Sequence, residues 1–203
     1  MVVATTGFFD GVHRGHRKVI DTLCRRAGEL GAESAVVTFW PHPRNVLRQD
    51  ARDLRLLTSL EEKKELLKAC GVDQIHVINF TRQFSMLSCE EFIKDYIIGK
   101  LGATEMIVGY DHHLGNPAFS TDIASVASGL GLKTIKEESV SDQYNTISST
   151  YIRNLIATGG VVVSAVTLTS SDILYPTIQY ILDPLARRGI SSLSLFGIFS
   201  LIM

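Results

Sequence analysis

"GFFDGVHRGH", Gly7 to His16, follows directly on the β-branched stretch "VVATT", Val2 to Thr6. Together they read as a strand running through a glycine-rich turn into a helix. Gly7 ends the strand, and Asp10, Gly11 and Gly15 permit a tight turn with close backbone approach. His13 falls at the end of that turn and His16 in the first helical turn. At that spacing both rings can face one pocket beside the free N–H groups of the helix. A helix N-terminus carries about half a positive charge and binds phosphate readily. A polyphosphate is the ligand this corner suits. Two other readings compete on spacing alone. One is metal ligation, although no third ligand has suitable spacing. The other is a plain pair of cap and core histidines.

The rest of the chain repeats the strand-then-helix rhythm. "GHRKVIDTLCRRAGEL" carries an apolar stripe of Val19, Ile20, Leu23 and Leu30, with Gly31 as its stop. "SAVVTF" reads as a buried strand. "SLEEKKELLKAC" opens with a Ser59/Glu62 capping box and "SCEEFIKDYIIGKL" with a Ser88/Glu91 box. "QIHVINF", "EMIVG" and "KTIKE" are further strands. "TDIASVASGLG" is a short helix with Thr121 as its expected cap, and "SSTYIRNLIATGG" a last helix leaving at Gly159. Strands alternating with helices imply βαβ units, hence an α/β fold with a doubly wound parallel sheet. Such sheets bind ligands beyond the carboxyl ends of their strands.

Composition sets the frame. The chain has 203 residues, 45% hydrophobic and 20% charged, with a formal net charge of −1. No basic face or run points to nucleic acid. Cys24, Cys70 and Cys89 lie far apart, which suits a reducing cytoplasm. The first residues lack the basic start and cleavage site of a signal peptide. The C-terminal run "GISSLSLFGIFSLIM" has 15 residues, four of them serine. A spanning helix needs about 20 mostly apolar residues, so no membrane partner is expected. Residues 161–203 hold only four charged side chains, Asp172, Asp183, Arg187 and Arg188, and lose the strand–helix rhythm. The expected boundary is therefore at Gly160: a domain over 1–160, then a divergent tail over 161–203. An exposed apolar tail would favour self-association.

Three more stretches carry chemistry. In "TFWPHPRN", Pro41 and Pro43 flank His42 and call for a stiff extended loop that walls a planar ligand. An ordinary proline-rich strand exit fits equally. In "GYDHHLG", Asp111 is placed to accept from a ribose or ligand amine, while Asp-His-His also occurs in phosphoesterase metal sites. That metal reading requires further aspartate motifs, and none is found. In "ISSTYIR", Ser148, Ser149 and Thr150 open a helix, and Arg153 follows one turn along the same face. Hydroxyls, free N–H groups and a guanidinium fork form a second anion site. A plain serine cap with a solvated arginine is the other reading. No Walker-type phosphate loop occurs.

These motifs, in this order, resemble a known family. "HRGH" is similar to the H-x-G-H signature of the nucleotidyltransferase superfamily, and "ISSTYIR" to its second signature. "GFFDGVHRGH", "FWPHP", "GYDHHLG" and "SSTYIR" together resemble the FAD synthetase (FMN adenylyltransferase) module of bacterial bifunctional riboflavin kinase/FAD synthetases, over roughly residues 2–160. The resemblance implies a Rossmann-like nucleotidyltransferase fold, a cytoplasmic enzyme, and the reaction ATP + FMN → FAD + pyrophosphate with Mg²⁺. It implies that His13, His16 and Arg153 are catalytic. ATP would then be held by Gly7, Phe9, Asp10, Gly15, Ser149 and Thr150, and the flavin by Pro41, His42, Pro43 and Asp111. It implies no protein-held metal. Departures from the family's usual residues fall at Phe8, Trp40, His112, Leu114 and Tyr151. The family's second half is a β-barrel riboflavin kinase with a P-T-A-N motif. Residues 161–203 contain no such motif, so kinase activity is not expected of this chain.

Overall fold

Helix starts and stops follow side-chain chemistry closely. In the computed structural model, which describes residues 1–47, 54–110, 112, 114–115, 122–141 and 146–158 (155–158 for backbone alone), α1 spans Arg14–Leu30 and ends on Gly31 at φ 59°. Helix α3, Leu60–Ala69, begins with the full Ser59/Glu62 capping box, each side chain bonding the other's backbone N–H. The Ser88/Glu91 box likewise opens α4, Cys89–Phe92. Each box satisfies helix N–H groups that have no intrahelical acceptor.

Five strands form one sheet: β1 Val2–Thr6, β2 Glu33–Trp40, β3 Gln74–Asn79, β4 Ala103–Val108 and β5 Lys133–Lys136. Their order is β3-β2-β1-β4-β5, and every pair is parallel. Ala4 lies opposite Ala35 on one side and Met106 on the other. Successive side chains point to opposite faces. Val2, Ala4, Ala35, Val37, Met106 and Val108 cluster with Phe92, Ile93, Ile97 and Ala127 from the helices that follow β3 and β4. On the other face Glu105 of β4 meets Arg26 of α1, and α1 buries Val19, Ile20 and Leu23. Both faces are covered, as a doubly wound parallel sheet requires. Strand order reverses direction at β1, which makes the carboxyl ends of β1 and β4 the natural ligand crevice.

Three local expectations are corrected. Pro43 does not extend a loop: it is the first residue of a short helix α2, Pro43–Leu47, where a missing N–H costs nothing. The helix after Ser88 changes to π geometry over Ile93–Lys100. Helix α5, Ile123–Gly129, is capped by Asp122, whose carboxylate accepts from Ser125 N, and not by Thr121.

The chain divides into two units, Met1–Val140 and Ser141–Met203. The second contains α6, Ser149–Thr158. The expectations for Asp111, for the boundary at Gly160 and for the tail 161–203 fall outside the described residues. Among the described residues, no helix is long and apolar enough to cross a membrane.

Candidate active site

The turn after β1 is held in an unusual backbone shape. Gly7 N donates to Val37 O at 3.0 Å, keeping the strand exit on β2. Phe9 (φ 53°) and Val12 (φ 38°) both adopt the left-handed region without being glycine. A β-branched residue there is a true outlier, and such strain persists only where the surroundings impose it. Here the surroundings are the approach to α3. Asp10 is buried, and its Oδ1 accepts from Leu57 N at 2.9 Å and Thr58 N at 3.2 Å. Gly11 N donates to Thr58 Oγ1 at 3.1 Å. Gly11 sits at φ 76°, and a Cβ there would lie 2.7 Å from Leu57 Cδ1.

That turn delivers the histidines. His13 is the N-cap of α1, and its Nδ1 accepts from His16 N at 3.4 Å. Nδ1 is therefore the acceptor nitrogen, which leaves Nε2 as the N–H of the neutral ring. The two rings stack, centroids 3.6 Å apart and planes 17° from parallel. Phe9 packs edge-on against His16 at 5.2 Å. Gly15 is the second residue of α1. The cap reading of His13 holds through Nδ1. His16 Nδ1 is buried and has no hydrogen-bond partner among the described residues, and neither has the buried Thr6 Oγ1. Burial first, then His13 and Lys63, hold His16 well below its ordinary value of 6.5. The imidazole is neutral at physiological pH and carries one N–H.

Lys63 completes the corner, and the sequence reading missed it. It is fully buried. Its ammonium donates to Phe8 O at 2.8 Å and Thr38 Oγ1 at 3.4 Å. It also lies 3.7 Å from the Phe8 ring centroid and 5.9 Å from that of Trp40. Burial pushes it down to about 8, with Asp10 opposing. A signal existed: Lys63, Leu66 and Leu67 fall at i, i+3 and i+4, the apolar stripe of α3.

The β2 exit adjoins this corner through Phe8, whose ring meets His42 edge-on at 4.0 Å. His42 Nδ1 accepts from Arg44 N at 3.0 Å. Pro41 follows a cis peptide bond. At the carboxyl ends of β4 and β5, Tyr110 and Lys136 to Ser139 line an open cavity of about 360 Å³. Gly7, Phe9, Asp10, His13, Gly15 and His16 therefore share one corner, with His42 beside it.

In the second unit, Ser148 Oγ accepts from Tyr151 N at 3.2 Å at the start of α6. Arg153 Nη2 donates to Thr150 Oγ1 at 3.3 Å, one turn apart on the same helix. Ser149 opens α6.

Residues 1–151 match the family described as FAD synthetase. The chain belongs to the FAD synthetase family. Among curated relatives it is 40% identical over 161 residues to the bifunctional riboflavin kinase/FMN adenylyltransferase of Listeria monocytogenes, covering 77% of this chain and 50% of that protein. It is 37% identical over 168 residues to the Bacillus subtilis protein of the same name, covering 82% and 52%. A crystal structure described as a macrolide-efflux protein from Streptococcus pneumoniae superposes with a TM-score of 0.67 at 26% identity, covering 76% of this chain and 52% of that one. The chain spans about half the length of these curated relatives. The FAD synthetase match takes in the strained turn, the stacked histidines and Lys63, and reaches the first turn of α6.

Proposed function

We propose that this FAD synthetase-family chain transfers the adenylyl group of ATP to FMN, giving FAD and pyrophosphate. The observation that carries this reading is the His13–His16 pair stacked on the N-terminus of α1 at the β1 exit. A phosphate oxygen of FMN attacks the α-phosphorus of ATP. The bond from that phosphorus to the bridging oxygen breaks, and pyrophosphate leaves with the electron pair. Charge grows on the non-bridging oxygens at the α-phosphorus during attack. Donors fixed in advance toward that charge do most of the work in such reactions. The N-terminal end of α1 and the histidine N–H groups supply those donors. Neither histidine is needed as a nucleophile.

ATP enters as its Mg²⁺ complex. Asp10 lies in the Gly7–His16 turn, and its Oδ1 is already committed to Leu57 N and Thr58 N. A Mg²⁺ bound with ATP would be held chiefly by phosphate oxygens and water, and would offset charge on the leaving pyrophosphate. Ser149, Thr150 and Arg153 contact phosphate oxygens of the nucleotide, through hydroxyls and a guanidinium fork. Pro41, His42, Pro43 and Asp111 serve the flavin. The experiment is direct: purified chain with ATP, FMN and Mg²⁺, followed by chromatography. FAD appears with pyrophosphate in equal amounts. A folded protein that yields no FAD overturns the proposal.

A further inference from the structure

Lys63 is a fully buried cation whose hydrogen-bond partners, a carbonyl and a hydroxyl, are both neutral. Among the described residues, no carboxylate lies within ion-pair distance of it. Burying a charge on such terms works against stability. The lysine is not needed to satisfy its main acceptor either, because Phe8 O also accepts from Thr38 Oγ1 at 3.2 Å. An apolar side chain of similar length would leave no orphaned group. The stem reaches from α3 under the β1 exit, at the base of the turn whose Phe9 and Val12 are strained.

We propose that Lys63 is a positioning residue for adenylyl transfer: its buried ammonium grips the Phe8 carbonyl and so fixes the turn that aims His13 and His16. This rests on the function proposed above. The turn is anchored to the segment leading into α3 through Asp10 and Gly11 and to α3 itself through Lys63. Without the second anchor, Phe8 and the histidines that follow it gain freedom at the strand exit. Misplacing reacting groups by about 1 Å costs on the order of 100-fold in rate. The ionisable groups facing Lys63 are Asp10 from the turn and His16 from α1, with His13 stacked on His16. From β2 it meets only the uncharged Thr38 and Trp40.

The test compares the full chain with Lys63→Met and Lys63→Arg. Three readouts are taken: FAD formation from neutral to alkaline pH, melting temperature, and NMR titration of the His16 imidazole without substrate. Lys63→Met is expected to keep or raise the melting temperature while kcat falls roughly 10- to 100-fold and KM for ATP stays within a fewfold. His16 then titrates at higher pH, because a neighbouring positive charge is gone. Wild-type kcat declines as pH rises through about 8, and Lys63→Met lacks that decline. Lys63→Arg, which keeps the charge, restores part of kcat. An unchanged kcat in Lys63→Met overturns the proposal. So does a loss of activity matched by an equal loss of folded protein. If Lys63→Met does not fold, the wild-type profile decides, and a kcat flat through the alkaline range overturns the proposal. If wild type forms no FAD, the function reading fails. The His16 titration still decides whether Lys63 governs the pair, and identical titrations in wild type and Lys63→Met overturn it.

Discussion

His13 and His16 stack at 3.6 Å, and the first also accepts the backbone N–H of the second. One ring thereby caps the helix through its Nδ1. Structural and chemical roles of His13 are separable by choice of replacement.

Asparagine is as good an N-cap as any residue, whereas alanine costs about 1 kcal/mol at that position. His13→Asn should therefore melt close to wild type, and His13→Ala several degrees lower. Both should lose FAD formation by at least tenfold. Calorimetry and the chromatographic assay on the two variants check this. Full activity in His13→Asn would reduce His13 to a cap.

His16 lies in the first turn of α1, and its Nδ1 has no hydrogen-bond partner among the described residues. Removing one transition-state donor costs about 100- to 1,000-fold in kcat. His16→Ala should show that loss with KM for FMN nearly unchanged. Its folded pKa lies below 6.5, so the unfolded chain binds more protons as the pH falls below that value. Stability must then decline on acidification. His16→Ala should flatten this slope in melting curves taken across mildly acidic pH.

Gly11 tests the turn itself. Its φ of 76° and the 2.7 Å approach of Leu57 to a would-be Cβ forbid a side chain without movement. Gly11→Ala should cost about 1–3 kcal/mol and lower kcat together with the melting temperature. A variant with wild-type melting would show that the turn relaxes easily.

At the opposite edge of the sheet, Glu105 receives a two-pronged Arg26 guanidinium, at 2.7 and 2.8 Å, and Lys133 at 3.0 Å. These hold its carboxyl down at about 2, from an ordinary 4.5. A depressed folded pKa means stability that is complete above the unfolded value and lost as pH falls toward the folded one. Glu105→Gln should melt below wild type at neutral pH, and the gap should close as pH falls from about 4.5 to about 2. FAD formation per folded molecule should be unaffected, since the carboxylate sits at the amino ends of the strands. A gap that is constant with pH would contradict the ion-pair account.

The five strands and the caps of α3 and α4 were legible in sequence because each rests on a local rule. Continuous apolar runs marked β2 and β4, and the serine–glutamate boxes marked the starts of α3 and α4. The π turn over Ile93–Lys100 left no mark on the apolar pattern. Asp122, next to the expected Thr121, is the stronger cap type, and its carboxylate takes the role. Lys63 was hidden by composition. It stands beside Lys64 in a charged helix, yet one residue turns a helix by about 100°, so Lys63 is sealed inside and Lys64 reaches solvent. The two histidines were legible as a pair, but their stacking depends on a turn held by residues some 50 positions away.

That distant hold has a consequence for the order of events during synthesis. β1, α1 and β2 emerge first and can pair locally. The turn between β1 and α1, however, takes its shape from Leu57, Thr58 and Lys63. Closing such long loops is slow relative to local pairing. A nascent chain halted before α3 would carry both histidines on a formed helix and still lack a working phosphate corner. The histidine corner thus reaches its final shape as a late step, after α3 has left the ribosome and docked.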